Sequence, residues 1–202
     1  MKNIIIALCS DGSQAGKTTV AEYIQRNYQD TVIESFAAPI KDMVTVLMGH
    51  AGLSRAFIGS RFHPACKEEP IPVSAFGPCG SPRRLMQTLG TEWGRCRINP
   101  FIWTDILEYK LGYWFSRGAA IVVIDDLRFL GEFEMLSNYE VYVVRINGCK
   151  TRKTTGHISD TESNAIDADF CIENDAGTSL GLLYEQVDDI MTAIARRRAR
   201  CR

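Results

Sequence analysis

The hydrophobic positions fall into short unbroken runs separated by stretches with helical spacing. Ile4-Ile5-Ile6-Ala7-Leu8-Cys9 is apolar throughout, and the segments Ala119–Ile124 and Val141–Ile146 repeat the pattern. Runs of this length read as strands buried on both faces, as in a parallel sheet covered by helices. Between them the spacing predicts helices at about 17–28, from Pro39 to about His50, at 82–97 and at 101–116. Pro39 suits a first helical position. Thr31–Phe36 and Asp169–Ile172 read as two further strands. A last helix at 178–195 gathers Leu180, Leu183, Tyr184, Val187, Ile190, Met191 and Ile194 on one face.

Strands alternating with helices predict an α/β fold with three layers, helix on sheet on helix, whose ligands bind beyond the carboxyl ends of the strands. Two stretches break the rhythm. Residues 50–82 hold five of the seven prolines and read as an insertion near a site. Residues 147–165 are polar and bounded by glycine. The chain is therefore expected to form one domain over 1–195, with 50–82 as an acceptor-side insertion, 147–165 as a small lid and 196–202 as a basic tail.

Composition narrows the class. With 46% hydrophobic and 23% charged residues the chain is not disordered. Its net charge of −1 conceals five arginines in the last seven residues, so the body is mildly acidic. Such a run usually frays into solvent, and can also contact a polyanion. The seven cysteines are odd in number, scattered and without a CxxC pair, which excludes a disulfide framework and a zinc site. They read as reduced thiols, with Cys9 and Cys171 acting as small buried hydrophobes. The first apolar run is too short for a signal core or a membrane span. A cytoplasmic protein without a membrane partner is expected.

The segment Asp11-Gly12-Ser13-Gln14-Ala15-Gly16-Lys17-Thr18-Thr19 joins the first strand to the first helix. Gly16, Lys17 and Thr18 match the end of G-x-x-x-x-G-K-[ST], while Asp11 stands at its first glycine and Gly12 follows. Small residues let backbone N–H groups turn around a phosphate, and the helix N-terminus adds its positive end. Lys17 would bridge the β- and γ-phosphates of ATP, and the Thr18 hydroxyl would ligate Mg²⁺. The candidate ATP site thus runs from Gly12 through Thr19. This reading makes the domain a P-loop kinase fold. A glycine-rich turn that merely caps a helix is the plainer alternative. No guanine-reading Asn-Lys-x-Asp segment is present.

The remaining motifs resemble bacteriophage-type deoxynucleoside monophosphate kinases. The resemblance rests on Ser81 to Arg95, above all Gln87-Thr88-Leu89-Gly90-Thr91-Glu92-Trp93-Gly94-Arg95, followed by Ile98-Asn99-Pro100-Phe101-Ile102-Trp103. Asp126-Leu127-Arg128-Phe129 resembles the family's Asp-Val-Arg-Phe, and Phe36-Ala37-Ala38-Pro39-Ile40-Lys41 its Phe-Ala-x-Pro-Leu-Lys. The stretches at Cys66–Pro72 and His157–Asp160 fit as well. Thr18, Phe101 and Asp160 stand where the family often has aspartate, aspartate and glutamate.

The resemblance implies ATP as donor, Mg²⁺ as cofactor, a deoxynucleoside monophosphate as acceptor and a homodimer. A doubly charged acceptor needs fixed cations, and the planar fork of arginine suits phosphate. Arg84 and Arg128 lead, with Lys67 and Arg95 behind them. Trp93 and Trp103 could face a base, Gln87 and Thr104 could read its edge, and Gly90 would allow close approach. Each tryptophan could equally be core, and Arg84 a solvated arginine. Asp126 could hold Mg²⁺ or orient the acceptor; Asp125 is the alternative, and the family spacing favours Asp126. Arg152, in the lid, would close over ATP.

Lys17, Arg128 and Asp126 are the expected catalytic residues. Two other functions stay open at this point. One keeps the reaction but acts on 5-hydroxymethyluracil within phage DNA, with the arginine tail on the polymer and the host cytoplasm as its place. The other is a module that binds ATP without turnover.

Overall fold

The computed structural model describes residues 3–10, 14–63, 65–148 and 162–200. The chain divides into two compact units, residues 1–35 with 107–202, and residues 36–106. The expected insertion at 50–82 lies wholly within the second.

The first unit is built on five parallel strands: β1 (Ile4–Ser10), β2 (Thr31–Glu34), β3 (Ile121–Ile124), β4 (Val141–Asn147) and β5 (Phe170–Glu173). Their order is β2-β3-β1-β4-β5. β1 is central and buried at every residue, which is why it reads as an unbroken apolar run. It pairs with β3 from Ile4↔Ile121 and with β4 from Ile5↔Val141. The chain leaves β1 in one direction towards β2 and β3 and later returns on the other side to β4. The carboxyl end of β1 is therefore the point where the winding reverses, the usual ligand position in such sheets.

Helices α1 (Lys17–Asn27) and α7 (Leu180–Arg200) cover one face. Val20, Ala21 and Ile24 of α1 meet Leu183, Val187, Ile190, Met191 and Ile194 of α7 over Ile4, Ile6, Leu8, Val144 and Ile146. Tyr23 and Tyr184 stack with centroids 4.0 Å apart, and Tyr23 and Tyr28 both donate to the Asp188 carboxylate. Leu180, expected on the inner face, is exposed at the first residue of α7. By the alternation of strands, Ile5, Ala7, Val122 and Ile124 point to the other face. The fold is thus α/β with three layers.

The sheet's first edge is tied to α5 (Ile102–Ser116) by a buried carboxylate. Glu34, at the end of β2, accepts from Lys110 Nζ at 2.9 Å and Trp114 Nε1 at 2.7 Å, one oxygen each. Leu107 and Leu111, one turn apart on the same helix, are fully buried.

Three features depart from the sequence reading. A short helix, α6 (Leu130–Leu136), follows the Asp126–Phe129 segment, where only a connection was expected. Cys9 is buried as expected, but Cys171 is exposed, because β5 is an edge strand and its residues alternate. The arginine run does not fray: α7 continues to Arg200. Alanine and arginine favour helix, and cations suit a helix C-terminus. Arg198 Nε lies 2.8 Å from Glu140, and Arg197 lies 3.5 Å from Asp169 and above the Phe170 ring. No helix among the described residues is long and apolar enough to cross a membrane.

The second unit contains α2 (Ala38–His50), α3 (Arg55–Arg61) and α4 (Pro82–Gln87), which passes directly into a π-helical segment, Thr88–Ile98. Ser81 caps α4 by accepting from Arg84 N at 3.3 Å, with Pro82 at the first helical position. Val44, Met48, Ile58 and Ile71 form its core, and Leu85, Met86 and Leu89 pack against them.

Glu34→Ala would strand a part-buried indole N–H and one ammonium. We expect a loss of about 2 kcal/mol, the scale of a hydrogen bond to a charged group. Urea denaturation followed by circular dichroism measures it, and an unchanged midpoint would remove Glu34 as the anchor of α5.

Candidate active site

The loop after β1 carries its conformation in two residues. Gln14 has φ 68° and Gly16 has φ 102°. The second belongs to glycine, because a Cβ there would also lie 2.6 Å from Asn174 Nδ2. Ala15, between them, is buried. α1 then starts at Lys17, so its free N–H groups and positive end face the loop. Gly12 and Ser13, with Asp11, lie outside the described residues, and so does Arg152 of the expected lid. Thr18 is exposed and Thr19 half-buried on the first turn of α1.

Lys17 folds back so that its ammonium donates to Ser10 Oγ at the end of β1. Its pKa is drawn down from 10.5 to about 8, first by burial and next by the positive charge of Arg128. Asp126, Asp125 and Cys9 oppose the shift without cancelling it. Lys17, Asp125, Asp126 and Arg128 therefore share one electrostatic neighbourhood beyond the adjacent ends of β1 and β3.

Arg128 is presented by a backbone turn that a buried carboxylate holds. Glu132, 3% exposed, accepts from the N–H groups of Arg128 at 3.0 Å and Phe129 at 3.1 Å. Glu162 takes the next N–H, that of Leu130, at 3.1 Å. Glutamates at a helix N-terminus satisfy donors the helix leaves open and suit its dipole. The Arg128 side chain is left exposed. Sequence reading named Arg128 and missed its support; the signal was a glutamate four residues on, at the start of an unrecognised helix.

The residues expected to bind the acceptor, apart from Asp126 and Arg128, lie in the second unit. Lys67 accepts at its carbonyl from Arg83 N at 3.0 Å, which sets it beside the start of α4 and hence beside Arg84. The same loop is fastened by ion pairs from Arg83 to Glu68 and from Arg61 to Glu69. Arg84 is exposed, and Gln87 and Arg95 are half-buried.

The two tryptophans separate. Trp93 is 41% exposed, whereas Trp103 is 3% exposed. The Trp103 indole donates to Gly90 O at 2.7 Å, and its ring occupies the space a Cβ on Gly94 would need, 2.4 Å from Cζ2. Trp103 thus fills the interior of its own unit and offers no open face. Gly90 is buried, and a Cβ there would meet Ile40 Cδ1 at 3.0 Å, so a side chain of its own unit comes close to it. The Thr104 hydroxyl donates to Phe101 O at 2.6 Å, within its own helical turn.

The π-helical turns are where these features converge. Bonding to the fifth residue widens the helix, an uncommon conformation that clusters at functional sites. The widened segment holds Gly90, Trp93, Gly94 and Arg95.

Because the Lys17 ammonium is disfavoured by folding, stability should rise with pH between about 8 and 10.5, where the unfolded chain binds the extra proton. Lys17→Met removes that dependence. We expect the stability difference between wild type and variant to be flat below pH 8 and to shift towards wild type above it. Denaturation midpoints from pH 6.5 to 10.5 test this; parallel curves would mean the ammonium carries no such burden.

The family model for deoxynucleotide monophosphate kinases matches residues 79–187. Comparison with curated proteins gives no match. The matched stretch, just over half the chain, runs from the cap of α4 through the π-helical segment and the Asp126–Arg128 turn into α7. This protein, a transferase, accordingly belongs to the deoxynucleotide monophosphate kinase family.

Proposed function

We propose that the protein transfers the γ-phosphoryl group of ATP to a deoxynucleoside monophosphate, giving the diphosphate. The observation that carries this reading is the ammonium of Lys17, held half-buried at the winding reversal with Arg128 and two carboxylates in its field. A half-buried ammonium kept in the field of a second, exposed cation gains most when a polyphosphate arrives beside them. The α1 N-terminus and the N–H groups of the loop add to the same preference for anions.

Phosphoryl transfer asks little covalent chemistry of a protein and much positioning and charge neutralisation. Lys17 would hold the donor phosphates and follow the charge that builds up on transfer. Arg128, on the turn braced by Glu132, would neutralise the transferring group. Asp126 would orient the acceptor or hold the metal. Lys67 and Arg84 would bind the acceptor's phosphate, and the exposed Trp93 would stack on its base.

Magnesium fits the donor set. Thr18 and Asp126 offer hard oxygen ligands, and Mg²⁺ typically takes one or two from the protein and the rest from phosphates and water. Among the described residues no three His, Cys, Asp or Glu side chains gather to hold a metal unaided. When bound, the ion would neutralise phosphate charge.

The test is ADP release from Mg·ATP with each deoxynucleoside monophosphate offered separately. Turnover with at least one is expected; turnover solely with DNA containing a hydroxymethylated base would overturn the acceptor. Lys17→Ala should abolish turnover in a folded protein. Arg128→Ala should lower kcat/KM at least ~10-fold, equivalent to about 1.4 kcal/mol. An unaffected rate would take Arg128 out of the site.

A further inference from the structure

We infer that Asn174 is a positioning residue: its side-chain amide sets the direction of the Ala15–Gly16 peptide group and so prepares the loop to receive phosphate. The inference rests on the phosphate-loop reading given above.

Asn174 follows β5 directly. Its backbone N–H donates to Asn147 O at 2.9 Å, adding one bond to the β4–β5 ladder. Its Nδ2 donates to Ala15 O at 2.8 Å, across 159 positions in the chain. The loop that precedes α1 and the ends of β4 and β5 are thereby joined through one residue. A trans peptide points its C=O and N–H in opposite directions. A carbonyl held towards Asn174 therefore turns the Gly16 N–H away from it, instead of leaving that peptide free to flip.

Two glycines make room for this arrangement. A Cβ on Gly16 would sit 2.6 Å from Asn174 Nδ2, and one on Gly148 would sit 2.3 Å from Asn174 O. Both have positive φ, 102° and 100°. Two separate loops thus omit a side chain around the same asparagine. Aspartate would match the shape, yet it lacks the donor and would set a carboxylate oxygen against Ala15 O. Loops that bind anions through backbone N–H groups gain affinity when those groups are oriented beforehand.

The experiment is steady-state kinetics of Asn174→Ala, Asn174→Asp and Asn174→Ser, each first checked by thermal melting. We expect Ala to raise the KM for Mg·ATP about tenfold, with kcat within about threefold and the acceptor KM unchanged. Asp, despite its matching shape, should be worse than Ala, and Ser, which keeps a donor, should be milder. If shape alone mattered, Asp would be the mildest of the three. An unchanged donor KM, or Asp milder than Ala, overturns the inference. Should the Asp variant fail to fold, equal Ser and Ala values overturn it. Lys17→Ala, run alongside, separates the two readings: if it stays active the phosphate loop itself is wrong, whatever Asn174 does.

Discussion

A parallel sheet covered on both faces leaves its central strand no water anywhere along its length. β1 obeys this from Ile4 to Ser10, and the polar chemistry near it has to wait until the strand ends. That constraint places the candidate chemistry of the first unit. Ser10, the last residue of the strand, already meets the Lys17 ammonium. Asp125 and Asp126 appear immediately after β3 stops, and Asn174 immediately after β5. The backbone supplies the address, and the side chains at it are those that the sheet would otherwise have to exclude.

Charge at that address is balanced in number, two cations and two carboxylates, but burial weighs on one of them. The carboxylates of Asp125 and Asp126 do not restore Lys17 to its ordinary basicity, because burial and Arg128 outweigh them. Full neutralisation would leave a stable ion cluster with little to gain from a ligand. What remains is an ammonium that burial disfavours, and any anion reaching it would relieve that cost. Glu132 contributes from beneath: its buried carboxylate accepts from two backbone N–H groups and so fixes the Arg128 turn.

Much of the fold was legible because it is written in apolar runs. The strands and the longer helices announce themselves by period, and Ser81-Pro82 marks the start of α4 without ambiguity. α6 escaped because its seven residues include Gly131 and an exposed Leu130, too little for a helical period to register. The arginine run misled for the opposite reason: its helix has no apolar face to show, and its docking depends on Glu140 and Asp169, distant in sequence. Trp103 could have been assigned to the interior, since it lies one turn before Leu107 and two before Leu111. What no period reveals is a single long-range amide such as Asn174 to Ala15, or a glycine whose neighbour is Ile40.

The course of α7 bears on how copies of the protein behave together. Among the described residues β5 pairs with one strand, β4, and the side chain of Gln186 on α7 already bonds both backbone groups of its last residue, Glu173. The rest of that edge is the kind of surface to which a strand from another molecule could add. Arg197 lies over Phe170 at the start of that strand, with Arg196 and Arg200 exposed on the same helical end. Two molecules approaching edge to edge along β5 would bring like charges towards each other. An ordered arginine helix thus sets fixed cations beside a short edge strand, the kind of charge that disfavours edge-to-edge pairing.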